Sequence, residues 1–205
     1  MKCPRCVQVI HRGADLCPHC GFGMTEAVAR YGAGSEVLRR MSDGAGLMKS
    51  RERMRVEEAL DAFARRFPQL FLAVRTTSGQ ADGQLRQFGF WLLNRARFED
   101  VAGKGNDAGI LLVIDARSKS AALTWGYRLD PYLSEEDSFL CLSRAHSYWI
   151  DGNFADGILR LVEQLGLILA KRSAQARRDP GRFERRMAPP SAIGQPGRRN
   201  REVAE

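Results

Sequence analysis

Apolar positions along the chain alternate between two periods. Val56, Ala59, Leu60, Phe63, Ala64 and Phe67 recur at i, i+3, i+4 spacing, which predicts an amphipathic helix over residues 50–67, closed by Pro68. Residues 70–74 form a short apolar run before Ser78-Gly79 and read as a strand. Leu85, Phe88, Trp91 and Leu92 place a second helix over residues 82–97. Residues 109–114 are continuously apolar, as in a strand buried on both faces. Ser118-Lys119 predicts a turn, with residues 121–125 as the hairpin partner. Ser134, followed by Glu135, Glu136 and Asp137, reads as an N-cap with an acidic first turn, opening a helix through Phe139, Leu142, Ala145 and Trp149. Asn153 caps a last helix whose core face is Ile158, Leu161, Val162, Leu165, Ile168 and Leu169. The order α-β-α-β-β-α-α predicts an α/β fold, a small mixed sheet flanked by helices in an α/β sandwich.

This pattern is confined to residues 42–170. Residues 24–41, with Gly32, Gly34 and Ser35, read as a partly helical linker. Residues 171–205 are rich in Arg, Pro and Gly and nearly devoid of large apolar side chains, and read as a mostly disordered basic tail. Ten Lys/Arg stand against four Asp/Glu after residue 170, so the tail supplies +6 of the net charge of +8. The basic isoelectric point is therefore a tail property and does not define a nucleic-acid-binding fold. The longest apolar stretch, residues 158–170, is interrupted by Arg160, Glu163 and Gln164 and is too short to span a bilayer.

Residues 1–23 carry separate chemistry. Cys3-Pro-Arg-Cys6 and Cys17-Pro-His-Cys20-Gly21 are two C-x-x-C knuckles separated by ten residues. Each places two thiolates on one side of a tight turn, and two such turns supply a tetrahedral S₄ shell for one Zn²⁺. Twenty residues cannot build a core, so the metal must supply the folding free energy of a small zinc ribbon. A closed four-thiolate shell leaves no position for water, which makes this zinc structural. His11 and His19 read as bystanders, Cys141 as a small buried hydrophobe and His146 as a core histidine. With no charged n-region and apolar h-region at the start of the sequence, and with thiols read as reduced, the expected location is cytoplasmic.

Residues 42–170 resemble the TPM-domain family, which includes thylakoid-lumen phosphatase-like proteins and photosystem-repair factors. The segment Ser42-Asp43-Gly44-Ala45-Gly46-Leu47 is similar to the family's opening Asp-x-Ala motif. Gly105-Asn106-Asp107-Ala108-Gly109-Ile110 resembles its Asn/Asp-rich turn running into a strand. Gly126-Tyr127-Arg128-Leu129-Asp130 stands where the family has Gly-Tyr-Gly-Leu-Glu, and Gly152-Asn153-Phe154-Ala155-Asp156-Gly157-Ile158 matches its Gly-Asp-Tyr-x-x-Gly-Ile. Arg128 in place of a glycine, Asp130 in place of Glu and Asn153 in place of Asp are departures. The resemblance implies a TPM-like α/β sandwich.

It also implies a possible second metal site. Asp43 and Asp107 match acidic positions of the family, and converging carboxylates would hold Ca²⁺ or Mg²⁺ and polarise a phosphate ester. The alternative reading makes both of them capping and turn residues. No G-x-S-x-G, P-loop or H-E-x-x-H motif supports an enzyme independently, and Gly103-Lys104-Gly105-Asn106-Asp107 precedes a strand, where a phosphate cradle would precede a helix. The expected role is a binding or scaffold module with a protein partner. A divalent-metal-dependent, phosphatase-like hydrolase is the alternative, and nucleic-acid binding through the ribbon and basic tail is a weaker one.

Overall fold

A computed structural model describes residues 2–10, 14–81, 83–101 and 103–181. The elements run in the order α1 (Met24–Tyr31), β1 (Val37–Leu38), β2 (Met41–Asp43), α2 (Ser50–Arg66), β3 (Phe71–Thr77), α3 (Leu85–Arg95), β4 (Arg97–Phe98), β5 (Gly109–Asp115), β6 (Ser120–Trp125), α4 (Glu135–Ile150) and α5 (Phe154–Arg178). The predicted α-β-α-β-β-α-α order is recovered as α2, β3, α3, β5, β6, α4 and α5.

The main sheet has the order β2-β3-β5-β6. The first three strands are parallel, and β6 returns antiparallel to β5 as the expected hairpin. Every residue of β5 is buried, as its continuous apolar run requires. On one face, Leu72, Val74, Ile110, Leu112 and Ile114 pack with residues of α2, α4 and α5, including Leu60, Phe63, Trp149, Ile158, Leu161 and Leu165. On the other face, Phe71, Ala73, Leu111 and Val113 pack with Leu85, Phe88, Trp91 and Leu92 of α3. Gly89 lets α3 come close to the sheet, because a Cβ there would stand 2.6 Å from Thr124 Oγ1.

The second layer does not end at α3. Leu85, Gln87, Phe88, Gly89, Trp91, Leu92 and Leu93 are all buried, too wide an arc for a helix with one solvent face. The rest of that arc is covered by α1 and the cysteine segment. Tyr31 packs its ring against Phe88 and Trp91 at centroid distances of 5.2 and 5.8 Å. The Trp91 indole N–H donates to the Gly32 carbonyl at 3.1 Å. Phe22 meets Phe90 edge-on at 5.9 Å. The cysteine segment and the sheet thus contribute to one hydrophobic cluster that contains Cys3, Ile10, Cys17, Phe22 and Ala27.

Four expectations are corrected. The linker is structured: α1 packs on α3, β1 pairs with β4, and β2 is an edge strand of the main sheet. The tail does not begin at residue 171, because α5 continues to Arg178. Its Lys, Arg, Ala and Gln are good helix formers, and Arg177 and Arg178 complement the C-terminal end of the helix dipole. Residues 182–205 lie outside the described residues, as does His11. On α4 the buried positions are Ser138, Cys141, Ala145 and Trp149. That register turns Phe139 outward, 74% exposed, and leaves His146 exposed as well, so His146 is not a core histidine. Ser134 does cap α4, accepting from Asp137 N at 3.2 Å while Asp137 Oδ2 accepts from Ser134 N at 3.0 Å.

Candidate metal centre

The two knuckles are built alike. In the first, Cys3 N donates to Gln8 O and Val7 N to Cys3 O; in the second, Cys17 N donates to Phe22 O and Gly21 N to Cys17 O. Flanking antiparallel bridges join Lys2 to Val9 and Leu16 to Gly23. Each loop turns through a positive φ, 63° at Val7 and 73° at Gly21. Folding the loops against each other brings Cys3, Cys6, Cys17 and Cys20 together, with all four sulfurs within 4.8 Å of one another.

The spacing fits a metal. Tetrahedral Zn–S bonds of about 2.3 Å place the sulfurs about 3.8 Å apart. Cys3 Sγ lies 3.7 Å from Cys20 Sγ, and Cys6 Sγ lies 3.6 Å from Cys17 Sγ. Both distances are far beyond a disulfide bond. The knuckle backbone supports thiolate charge, as where Arg5 N points at Cys3 Sγ from 3.4 Å. At Cys17 burial raises the thiol pKa, but the N–H groups of His19 and Cys20 outweigh it and bring it to about 7. Burial pushes Cys3 up to about 12. Among the described residues this is the only cluster of three or more His, Cys, Asp or Glu that could hold a metal ion.

Sequence reasoning missed what anchors the ribbon. The Arg5 guanidinium lies 4.7 Å above the Phe22 ring and pairs with Glu26 of α1. The first knuckle is thereby tied to the second and to the helix that follows. Cys141 is buried as expected, and burial raises its thiol to about 12.

The two acidic residues do not converge. Asp43 ends β2 level with Thr76, which is level with Ile114 near the end of β5. Asp107 lies in the turn Asn106–Ala108 that precedes Gly109, the first residue of β5. The five steps from Gly109 to Ile114, at about 3.3 Å each, put the two aspartates about 16 Å or more apart along the sheet. Asp43 is also fully engaged. Its Oδ1 accepts from the Thr76 hydroxyl at 2.5 Å and Leu47 N at 3.0 Å, and its Oδ2 from Met48 N at 3.0 Å. Asp107 is half-exposed, with Arg128 Nε 3.9 Å away. These are the turn-closing roles that short acidic residues take.

At the same carboxyl end of the parallel strands as Asp43 lies a buried carboxylate, Asp115, which is 5% exposed. It accepts from Gly79 N at 2.6 Å, Ser118 N at 3.0 Å and the Ser118 hydroxyl at 2.6 Å. Burial opposes its ionisation, but these donors outweigh burial and hold its pKa below the usual carboxylate value. The Asp115-x-x-Ser118 spacing was a readable Asx-turn signal.

The fold and the cysteine site define a class: an α/β sandwich whose N-terminal segment gathers four thiols at metal-ligand spacing. The model of the TPM domain matches residues 41–167, well over half of the chain, and the protein belongs to that family. The N-terminal domain of a P. gingivalis protein, solved by NMR, is similar at a TM-score of 0.54 and 26% identity, over 65% of this chain and 83% of that one. The N-terminal domain of a Corynebacterium glutamicum protein is similar at a TM-score of 0.48 and 16% identity, over 62% of this chain and 78% of that one. No curated protein sequence matches the chain. Among the described residues, no helix is long and apolar enough to cross a membrane.

Proposed function

We propose that this protein is a zinc-locked TPM-domain binding module that presents its surface to a protein partner in a reducing, cytoplasmic compartment. The observation that carries this reading is an asymmetry between its two candidate sites. Four thiols are gathered at metal spacing, whereas Asp43 and Asp107 sit at opposite ends of the parallel strands. A closed S₄ shell stabilises structure and offers a bound water no place, so the metal holds a surface in shape. A reducing compartment keeps the four thiols available to Zn²⁺. The phosphatase-like alternative has lost the paired carboxylates on which it depended.

The test combines metal analysis with a hydrolysis assay. Protein purified without chelator should carry one zinc per chain, lost in Cys17→Ser. Millimolar Ca²⁺ or Mg²⁺ should neither shift the thermal midpoint nor produce saturable hydrolysis of a phosphate monoester. Metal-dependent turnover abolished by Asp43→Asn would overturn the reading.

A further inference from the structure

Helices α4 and α5 form a seam whose surface is both apolar and cationic. Two contacts fix its register. Arg172 lies 3.5 Å from Asp137, and Arg144 donates to Gln164 at 2.7 Å, so the helices run in opposite directions. Between these ties Leu140 and Leu167 reach the surface, 38% and 54% exposed, and Phe139, 74% exposed, lies about 100° further around the outer face of α4. Leu167, Lys171 and Arg178 share one stripe of α5 at i, i+4 and i+11, and Leu140 and Arg144 share one of α4 at i and i+4.

The cations of this seam are not neutralised. Among the described residues, Arg144, Lys171, Arg177 and Arg178 make no ion pair with an acidic side chain. The Gln164 partner of Arg144 is neutral and leaves its charge in place. The nearby acids are mostly occupied: Glu135 pairs with Arg86 at 2.9 Å, Asp137 with Arg172, and Glu163 with Arg160 at 2.6 Å, while Glu136 lies in the field of Lys2.

We propose that this seam docks on an anionic lipid surface, with Phe139, Leu140 and Leu167 entering the interfacial layer and Lys171, Arg177, Arg178 and Arg144 meeting lipid phosphates. Apolar side chains flanked by unpaired cations are what a negatively charged bilayer interface rewards on both counts. A nucleic-acid backbone would use the cations and gain nothing from three exposed hydrophobes. A second copy of the same seam would meet it with like charge.

The test is co-sedimentation of the full-length, metal-loaded protein with vesicles of phosphatidylcholine alone or mixed with phosphatidylglycerol. Binding is expected to the anionic vesicles only, and to weaken as salt is raised. Leu167→Ser and Phe139→Ser should each weaken partitioning about tenfold, and Lys171→Ala about fivefold. All three variants should melt like the parent, because the side chains removed are exposed. Failure to sediment with anionic vesicles at low salt overturns the proposal. So does binding indifferent to the Leu167 and Phe139 changes, which would assign the attraction to charge alone. Tighter binding to a short RNA duplex, equally indifferent to them, would identify the surface as a polyanion site instead.

Discussion

Val7 and Gly21 hold equivalent places in the two knuckles, each donating its N–H to the first cysteine of its loop from a left-handed backbone. Glycine takes that conformation freely, whereas a β-branched residue is strained by it. Val7 is 39% exposed, so its side chain contributes little packing to offset the strain. Val7→Gly should therefore stabilise the metal-loaded ribbon by about 1 kcal/mol. Chelator competition measures this, as metal retained at higher chelator concentration. Gly21→Val should act in the opposite sense. A weaker hold on metal in Val7→Gly would mean that the valine packs better than its exposure indicates.

The shared cluster of ribbon and α3 predicts that metal loss is felt beyond residue 23. Cys17→Ser, or chelation of the parent protein, should lower the thermal midpoint of the entire chain by several degrees, at roughly 2–4 °C for each kcal/mol lost in a protein of this size. The emission of Trp91 should shift as Phe22 and Tyr31 loosen around α3. An unchanged main transition after verified zinc loss would show that the ribbon is only tethered.

Asp115 predicts an acid-sensitive step. Its folded pKa lies below the usual value, so its contribution is complete above the unfolded value of about 4 and is lost as pH falls through the folded one. Asp115→Asn replaces one acceptor oxygen by an amide that cannot accept from Gly79 or Ser118, at a cost of about 1–3 kcal/mol at neutral pH. The gap between parent and variant in urea melts should narrow below pH 4. A gap constant with pH would assign the loss to packing.

Gly157 touches the buried indole of Trp149 where α5 crosses α4. A Cβ there would overlap the ring, so Gly157→Ala should cost about 1–3 kcal/mol despite alanine's better helix propensity. Equilibrium denaturation checks the sign. A stabilised variant would mean that the indole can move aside.

What could be read from the sequence depended on segment length. The helices led by Val56 and Ile158 and the apolar run of β5 each span enough residues to show a period, and the structure follows them closely. Strands β1, β2 and β4 have two or three residues, too few for any alternation, and exist because longer neighbours hold them. The four cysteines were legible because thiol chemistry is written in local spacing. Asp43 and Asp107 were not: motif resemblance says which residues are acidic, but only strand direction says at which end of the sheet each lies. The outward turn of Phe139 was hidden for a similar reason, since Ser138 and Cys141 make an equally good inner face for α4.

The seat of the ribbon on α3 also bears on the order of events during synthesis. Metal capture needs only the first two knuckles, whose sulfurs are separated by at most 17 positions. The aromatic surface that receives them, Phe88 to Trp91, leaves the ribosome much later. On the proposed zinc-locked reading, the nascent chain would take up its ion before the sheet exists, and the loaded ribbon would then wait for α3 to arrive. Metal scarcity during translation would leave that newly made helix with one apolar flank uncovered, and so would favour aggregation of new chains while sparing molecules already assembled.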